Sequence, residues 1–341
     1  MRRELVCTEP ATPPRLEVRT REVPRPQAGQ VLVRALATAV NPIDARRASG
    51  YGRRLLGLKG AANFPLVLGN DVAGIVGALG TGVTRFAPGQ RVFGVAATGR
   101  QGGAHVSHVV VPQEQLRAAP DEVDLEMLAI LPYSFTTMWL ALRSSGLAAA
   151  NAAGKRVLVN GASGALGQLS LQLLRAWGGE VTAICGRGKG ADCVALGAAS
   201  AVERGSATIA SLPSHFHVVL NFGSWDDDPA LASRLGRDAL GHVTTVHPLL
   251  ANFDRLGWLR GALASRREWR AIRSVVACMA PQARYGWTLF KPDAEALDVL
   301  TVGLRERKFS LAVGLRAPLE DASAAFEHVS LGKAGRAVLL P

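Results

Sequence analysis

The chain has 341 residues, a hydrophobic content of 48% and a formal net charge of +12. A chain of this length can fold into two domains, each with its own core. Its apolar runs are far shorter than the roughly 20 residues that cross a bilayer, so we predict no membrane span. The charge raises nucleic acid or an anionic membrane as a partner. However, the arginines are scattered along the chain, which favours an ordinary solvated surface over nucleic-acid binding.

The cysteines limit the metal and redox chemistry open to the chain. There are four of them, and the closest pair, Cys185 and Cys193, is too widely spaced for a structural zinc knuckle. A reducing compartment is therefore expected. Arg2 and Arg3 are not followed by the apolar stretch of a signal peptide, so we expect a cytoplasmic protein.

The first third of the chain carries short β-type runs broken by turn residues. Pro88-Gly89 and Gly102-Gly103 mark two of these turns. We predict a mostly antiparallel β domain. The predicted strands are 30–35, 66–68, 72–78, 90–95 and 105–111.

Helical and strand patterns alternate after Pro120. Strands separated by helices predict a parallel, doubly wound sheet. The predicted helices are 124–131, 136–145 and 167–177, and the predicted strands are 156–160, 180–185, 201–202, 217–221 and 241–246.

The last segment, 311–341, returns to β-type runs around a predicted helix at 319–329. We expect it to rejoin the first domain. The predicted domains are 1–125 with 309–341, and 126–308.

A glycine-rich turn joins the predicted strand 156–160 to the helix that follows. Three glycines at intervals of three permit close approach of the backbone to a diphosphate, whose charge faces the helix N-terminus. This order of strand, turn and helix favours a dinucleotide site over a tight turn that binds nothing. The predicted contacts are Gly161, Ala162, Ser163, Gly164, Ala165, Leu166 and Gly167.

The end of strand 180–185 indicates which nicotinamide cofactor is bound. NAD-binding proteins place an acid there for the ribose 2′-hydroxyl, whereas a 2′-phosphate needs a cation. Here Gly186, Arg187 and Lys189 follow the strand, and the first acid is Asp192. The alternative is an exposed basic loop. We predict NADPH as the cofactor.

Several motifs together resemble the medium-chain dehydrogenase/reductases, in the zinc-free branch of the quinone oxidoreductases. Within that branch the chain looks most like the mitochondrial reticulon-4-interacting proteins and their bacterial relatives. The resemblance implies a Rossmann domain joined to a discontinuous GroES-like domain. The motifs are Asn41-Pro42-Ile43-Asp44, 68–74, 86–92, Leu131-Pro132-Tyr133, 160–167, 196–198, 249–257 and 335–338.

The same resemblance has consequences for metal binding. Zinc-dependent relatives carry a cysteine near the position of Asn41 and a histidine at that of Asn70. Neither ligand type stands here, and the four-cysteine lobe is missing, so we predict that both zinc sites are absent.

The resemblance also nominates residues around the nicotinamide and the substrate. Asn41 lies beside the nicotinamide ribose in similar proteins, although capping the turn before Pro42 explains it equally well. Tyr51 is placed in the substrate cleft, where its phenol is a candidate proton donor; Tyr133 and a water molecule remain alternatives. The further expected cofactor contacts are Thr137, Arg204, Phe222, Val246 and Arg336.

The segment 252–275 combines two tryptophans with many arginines. We favour a lid over the active-site mouth. A membrane-contacting or partner-contacting helix and an ordinary surface helix remain open. Residues 284–290 resemble the edge strand through which related dimers extend their sheets, so we expect a homodimer.

The leading hypothesis for function is hydride transfer from NADPH to a quinone, enone or other activated carbonyl, which is a small-molecule electrophile. Alcohol or aldehyde oxidation is disfavoured by the missing zinc ligands. A non-catalytic NADPH-sensing or RNA-binding protein is the alternative from another class, supported only by the basic charge.

Overall fold

The computed structural model describes residues 1–58, 60–96 and 102–341, which divide into two compact units. The first comprises Met1–Tyr133, Phe253–Gly257 and Pro292–Pro341. The second comprises Ser134–Asn252 and Trp258–Lys291. In the described part of the chain, no helix is both long enough and apolar enough to span a membrane.

The first unit is built mainly from antiparallel strands. Its strands are β1 (Arg2–Cys7), β2 (Leu16–Arg21), β3 (Gln30–Val40), β4 (Leu66–Val67), β5 (Asp71–Leu79), β6 (Arg91–Val95), β7 (His108–Pro112), β8 (Leu116–Ala118), β15 (Val313–Pro318) and β16 (Arg336–Leu340). Its helices are α1 (Pro42–Ala48), α2 (Arg53–Gly57), α3 (Leu125–Ala129), α10 (Ala294–Arg305) and α11 (Ala322–Ser330).

These strands form two sheets among the described residues. One has the order β2-β1-β4, and the other runs β15-β16-β3-β5-β6-β8 with β7 also paired to β3. All pairings are antiparallel except that of β15 with β16. The alternation of β3 directs Val31, Val33 and Ala35 into one core, as the period of two requires.

The second unit is a doubly wound sheet. Its strands are β9 (Arg156–Asn160), β10 (Glu180–Cys185), β11 (Ser200–Glu203), β12 (Val218–Asn221), β13 (Gly241–Thr244) and β14 (Arg284–Trp287). Its helices are α4 (Pro132–Ser145), α5 (Ala149–Ala152), α6 (Ala165–Ala176), α7 (Gly190–Ala195), α8 (Asp228–Ala232) and most of α9 (Leu249–Met279).

Within the described residues the strand order is β11-β10-β9-β12-β13-β14, and every pairing is parallel. This is the order of a dinucleotide-binding sheet, with the reversal between β9 and β12. The apolar run of β9 is buried on both faces, as in sheets covered by helices on each side. The predicted α/β fold class, a doubly wound parallel sheet with a mostly antiparallel β unit, is confirmed.

The two units depart from the predicted domain boundaries where helices α3 and α10 pack. The prediction gave residues 126–308 to the parallel sheet, but α3 and α10 belong to the first unit. The Arg117 side chain donates to the Ala294 carbonyl, and the Arg316 guanidinium pairs with Glu126. Helical periodicity identifies an apolar face but does not say which sheet that face covers.

A buried polar network underlies the carboxyl ends of the central strands. Asn221 Nδ2 donates to Asp228 Oδ1 at 2.8 Å, and the Tyr285 hydroxyl donates to Asp228 Oδ2 at 3.1 Å. His242 Nε2 lies 3.0 Å from Asp228 Oδ1. Burial by itself raises the pKa of Asp228, but the neighbouring His242 and the hydrogen bonds from Asn221 and Tyr285 bring that pKa below its ordinary value. The carboxylate is therefore charged in the folded protein.

We predict that Asp228→Asn lowers the free energy of unfolding by about 3 kcal/mol near neutral pH, because His242 and Tyr285 lose a buried carboxylate partner. A lowered folded-state pKa gives stability that is present above the unfolded value and lost as the pH falls through the folded value. The difference in unfolding free energy between wild type and Asp228→Asn should therefore become smaller under acid conditions. Urea unfolding at several pH values measures it.

The matched control is Asp121→Asn, because Asp121 is 94% exposed and its carboxylate is 3.9 Å from Arg91. Its effect should stay below about 1 kcal/mol. Equal effects of the two substitutions would contradict the stabilising role of the Asp228 network.

Candidate functional site

The turn after β9 brings backbone segments together at distances that exclude side chains. Gly161 has a φ of 79°, and a Cβ there would lie 2.8 Å from the Phe222 carbonyl carbon and from the Gly223 nitrogen. A Cβ on Gly167 would lie 2.4 Å from Ala162 Cα. Both positions therefore require glycine. The result is a strand, a tight turn and a helix N-terminus packed directly against the end of β12.

The N-terminus of α6 leaves backbone donors directed out of the sheet edge. The Gln168 N–H donates to the Gly164 carbonyl at 2.8 Å, which is the first intrahelical bond. The N–H groups of Ala165, Leu166 and Gly167 precede that bond and have no intrahelical acceptor. Such amides, together with the positive end of the helix dipole, suit an anionic group. We call the turn from Gly161 to Gly167, with these amides, the cradle; its shape and charge fit a diphosphate.

Ser163 connects this turn to the loop after β10. The Gly186 N–H donates to Ser163 Oγ at 3.3 Å, so the predicted phosphate turn and the predicted 2′-phosphate loop are neighbours. Arg187 and Lys189 are exposed on this second loop, and Lys189 pairs with Asp192 at 3.2 Å. The structure thus brings together the glycine turn, Gly186 and the two cations.

Glu203, which the sequence analysis missed, braces the same loop from the end of β11. Its carboxylate accepts from the Gly188 and Gly190 amides, both at 2.9 Å. These hydrogen bonds are the main reason that the pKa of Glu203 lies below its ordinary value. Because Glu203 lies at the end of β11, the residues that follow β10 in the sequence do not indicate it. Its position at the carboxyl end of a parallel strand was the available signal.

Arg204 contacts polar side chains near the glycine turn. Its guanidinium pairs with Asp227 and donates to Asn160 Oδ1 at 3.1 Å. Asn160 in turn donates to Asn221 Oδ1 at 2.9 Å. Arg204 therefore lies beside the start of the glycine turn, within a polar cluster that includes Asp227, which was not predicted.

A cleft of about 360 Å³ opens beside this cluster. It lies among the carboxyl ends of β10 and β11 and the residues before α8, which is where open α/β sheets bind ligands. Its lining residues are Ile184, Val202, Glu203, Arg204, Gly205, Ala207, Thr208, Ile209, Ala210, Leu212, Asp226, Asp227 and Ala230.

The remaining predicted contacts of the second unit lie at separate positions. Phe222 follows β12, and its N–H donates to the Asn160 carbonyl at 2.9 Å. Val246 follows β13 and donates to Thr244 Oγ1 at 3.3 Å. Thr137 is buried in α4. The carboxyl ends of β12 and β13 share the sheet edge of the glycine turn, which accounts for the positions of Phe222 and Val246.

Asn41 belongs to the first unit, where both polar atoms of its side chain form hydrogen bonds in a buried cluster. Its Nδ2 donates to Asp71 Oδ2 at 2.7 Å, and its Oδ1 accepts from Arg336. Asn41 is the N-cap residue of α1, and the Asp44 carboxylate accepts from the Asn41 backbone N–H at 2.8 Å, as in a capping box. Asn41 and Arg336, which were predicted separately, are in contact, and Asn41 also stands at the helix start that the capping interpretation gives it.

Asp71 is the fully buried acid that accepts from Asn41 in this cluster, and its position between apolar residues in the sequence agrees with that burial. It also accepts from the Tyr133 N–H at 2.6 Å. Burial raises the pKa of Asp71 to about 7, against the opposing effects of Asn41, Tyr133 and Arg336. This carboxyl group therefore titrates near neutrality.

Asn70 lies close to this cluster, where it contacts another carboxylate. Its Nδ2 donates to Asp44 Oδ1 at 3.2 Å. Within the described residues, no group of three or more histidine, cysteine or acidic side chains converges as a metal site would require. The side-chain amides of Asn41 and Asn70 thus both donate to carboxylates, those of Asp71 and Asp44.

Tyr51 is separate from the Asn41 cluster and stacks on a cation. The Arg46 guanidinium carbon lies 3.8 Å from the centre of the Tyr51 ring. Burial raises the pKa of Tyr51, so the phenol keeps its proton at neutral pH. Asp254 accepts from the Gly52 and Arg54 amides and so holds the loop that follows Tyr51.

Comparisons with known proteins agree with this arrangement. Residues 27–121 match the family model of the alcohol dehydrogenase GroES-like domain. The human protein named NAD(P)H oxidoreductase RTN4IP1, mitochondrial, is 30% identical over 333 residues, covering 91% of this chain and 81% of that protein. The Caenorhabditis elegans protein named reticulon-4-interacting protein 1, mitochondrial, is 29% identical over 345 residues, covering 94% and 92%.

A solved structure extends the comparison to the complete fold. The quinone oxidoreductase from Coxiella burnetii matches with a TM-score of 0.82 at 19% identity, covering 100% of this chain and 99% of that one. The predicted family resemblance and the GroES-like assignment are therefore confirmed. The names of the human and worm relatives are mitochondrial and give no support to the cytoplasmic location expected from the sequence.

We predict that the unfolding free energy falls by about 3 kcal/mol between about pH 5 and about pH 8 because of Asp71. An acid whose folded-state pKa is raised holds its proton in the folded protein where the unfolded chain has released it. The free energy of unfolding therefore decreases as the pH rises from the ordinary pKa of an aspartate towards 7. Urea unfolding across this range, compared with Asp71→Asn, tests the effect.

The substitution replaces the titrating group with a neutral one, so this component of the pH dependence should disappear in Asp71→Asn. A slope identical to that of wild type would show that Asp71 is not responsible.

Proposed function

Because the chain belongs to the family of the NAD(P)H oxidoreductases RTN4IP1, among the quinone-oxidoreductase-like medium-chain dehydrogenase/reductases, we propose that it is an NADPH-dependent oxidoreductase. Its substrate is a small electrophile of the quinone, enone or activated carbonyl class. The observation that carries the proposal is the side-chain-free turn from Gly161 to Gly167, with the α6 amides beyond it. A bound reduced nicotinamide supplies hydride from its C4 atom.

The second unit holds the nucleotide in this proposal. The N–H groups of Ala165, Leu166 and Gly167 bind the diphosphate, and the fixed helix end needs no rearrangement to do so. The cleft beside Arg204 is large enough for an aromatic base. Since Arg204 is already paired with Asp227, its charge is balanced within the site, and its guanidinium plane is available for stacking.

The loop after β10 favours the phosphorylated cofactor. Both carboxylate oxygens of Glu203 accept backbone amides, so this acid is oriented towards the loop backbone, and we propose that it does not bind a ribose hydroxyl. Arg187 and Lys189 remain on the exposed side of the loop as partners for a 2′-phosphate. The alternative, preference for NADH, would require an acid directed away from these amides.

The first unit contains the proposed proton donor. The Tyr51 phenol, protonated at neutral pH, donates to the oxygen of the reduced electrophile, while Arg46 over its ring stabilises the phenolate left behind. Asn41 is locked between Asp71 and Arg336, so one remaining N–H of its amide has a fixed direction. A solvent molecule then restores the proton of Tyr51.

The proposed chemistry is zinc-independent. A catalytic zinc needs thiolate or imidazole ligands, whereas positions 41 and 70 carry amides whose Nδ2 atoms donate to Asp71 and Asp44. Hydrogen-bond donors therefore replace a Lewis acid at the developing oxyanion. This is also the reason to prefer the reductase over zinc-type alcohol oxidation. We also propose that the chain forms a homodimer and binds no nucleic acid.

We predict that Arg187→Gln with Lys189→Gln raises the dissociation constant for NADPH by roughly 30-fold, since two charge-assisted contacts to the 2′-phosphate are lost. Binding of NADH should change less than about twofold. Quenching of intrinsic fluorescence by each nucleotide measures both constants.

The control is Arg237→Gln, an exposed cation that lies outside the loop. It should leave both constants unchanged. Equal weakening of NADPH and NADH by the double variant would contradict recognition of the 2′-phosphate by this loop.

We predict that Tyr51→Phe lowers kcat with a quinone or enone by about 10²-fold while the dissociation constant for NADPH stays within twofold, because the variant loses the proton donor and keeps the ring. Steady-state turnover at saturating NADPH gives the value. Tyr133→Phe is the matched control for the alternative donor and should retain kcat. Full activity of Tyr51→Phe would assign the proton to Tyr133 or to water.

A further inference from the structure

The part of α9 from Trp258 to Met279 packs one face on the second unit and leaves the opposite face uncovered. Gly261, Ser265, Ile272 and Val276 are buried, and the last two belong to the core that includes Leu158 and Val219. These positions recur at intervals of four and seven residues, as the buried stripe of a helix does.

The uncovered face combines leucines and arginines. Leu259 and Leu263 are 75% and 58% exposed and lie one turn apart. At 100° per residue, Arg266 and Arg270 fall between or beside them, and Arg260 and Arg267 flank them on one side. All four arginines are exposed. We define the leucine–arginine face as Leu259, Arg260, Leu263, Arg266, Arg267 and Arg270.

The charge on this helix segment is strongly one-sided. Between Trp258 and Met279 there are five arginines and a single acid, Glu268. The Glu268 carboxylate accepts from Asn252 Nδ2 at 2.6 Å, so it is engaged on the inner side of the helix. On the outer face, the arginines therefore have no acidic neighbour from their own helix segment, and they surround two exposed leucines.

We propose that the leucine–arginine face docks onto a membrane surface that carries anionic phospholipids. The leucine side chains enter the boundary between headgroups and acyl chains, while the long arginine side chains extend sideways to the phosphates. Exposed leucine is costly in water, and the lipid boundary removes that cost without requiring a shaped partner. The proposal does not depend on the proposed function.

Two other occupants fit the face less well. A second copy of this face would set arginines against arginines across a symmetric contact, which is repulsive. Nucleic acid would satisfy the arginines, but its phosphates and sugars would leave the two leucines against polar groups. A lipid surface satisfies both components at once.

The full chain tests this by flotation with vesicles of phosphatidylcholine alone and of phosphatidylcholine mixed with phosphatidylglycerol. We expect binding to the mixed vesicles only, weakening as salt is raised. Arg266→Gln with Arg267→Gln and Arg270→Gln should weaken binding at least tenfold, since each surface charge contributes about fivefold. Leu259→Ser with Leu263→Ser should weaken it on the order of tenfold in low salt.

The matched controls remove the same kinds of side chain from other parts of the surface. Arg25→Gln with Arg237→Gln and Arg305→Gln removes three exposed charges outside the face, and Leu331→Ser removes another exposed leucine. These variants should bind mixed vesicles within about threefold of wild type. Circular dichroism and the thermal midpoint establish that every variant is folded.

Several outcomes would overturn the proposal. They are absence of binding to the mixed vesicles, equal weakening by the face variants and the controls, and leucine variants that change only the sedimentation coefficient, which would assign the face to self-association. Salt-sensitive binding to RNA that requires the arginines and is indifferent to the leucines, without vesicle binding, would assign it to nucleic acid.

Discussion

The close approach of the backbone at Gly161 and Gly167 is the constraint on which the proposed nucleotide site depends. A side chain at either position would collide with the end of β12 or with the turn itself. Only because both side chains are missing does α6 begin directly above the sheet edge, with three amides directed away from it. The charge recognition proposed for the neighbouring loop has meaning only if this cradle holds the diphosphate.

Each unit supports its site with buried polar groups that satisfy one another. In the second unit, Asn160, Asn221 and Asp228 form a continuous chain of hydrogen bonds beneath the glycine turn. In the first, Asp71 fixes the amide of Asn41. Buried polar groups without partners are costly, so these networks hold one arrangement and resist alternatives. The amides of Asn41 and Asn70 are held in the same way, by the carboxylates of Asp71 and Asp44.

Local signals in the sequence were sufficient for the parallel sheet. β9 and β10 have the predicted bounds, because continuous apolar runs flanked by turn residues define buried strands. The helix after the turn begins at Ala165, two residues before the predicted start, since the amphipathic pattern locates a helix better than its cap. Contacts between residues that are distant in sequence could not be predicted, because no local pattern connects their partners. Examples are the contacts of Glu203 with the Gly188 amide, of Arg204 with Asp227 and of Arg336 with Asn41.

Isothermal titration calorimetry of the unmodified chain with NADPH and with NADH tests the central claim most directly. The account predicts saturable binding of NADPH at one site per chain. NADH should bind with a larger dissociation constant, because it lacks the 2′-phosphate. Folded protein that takes up neither nucleotide would contradict it, because the cradle between β9 and α6 would then have another purpose.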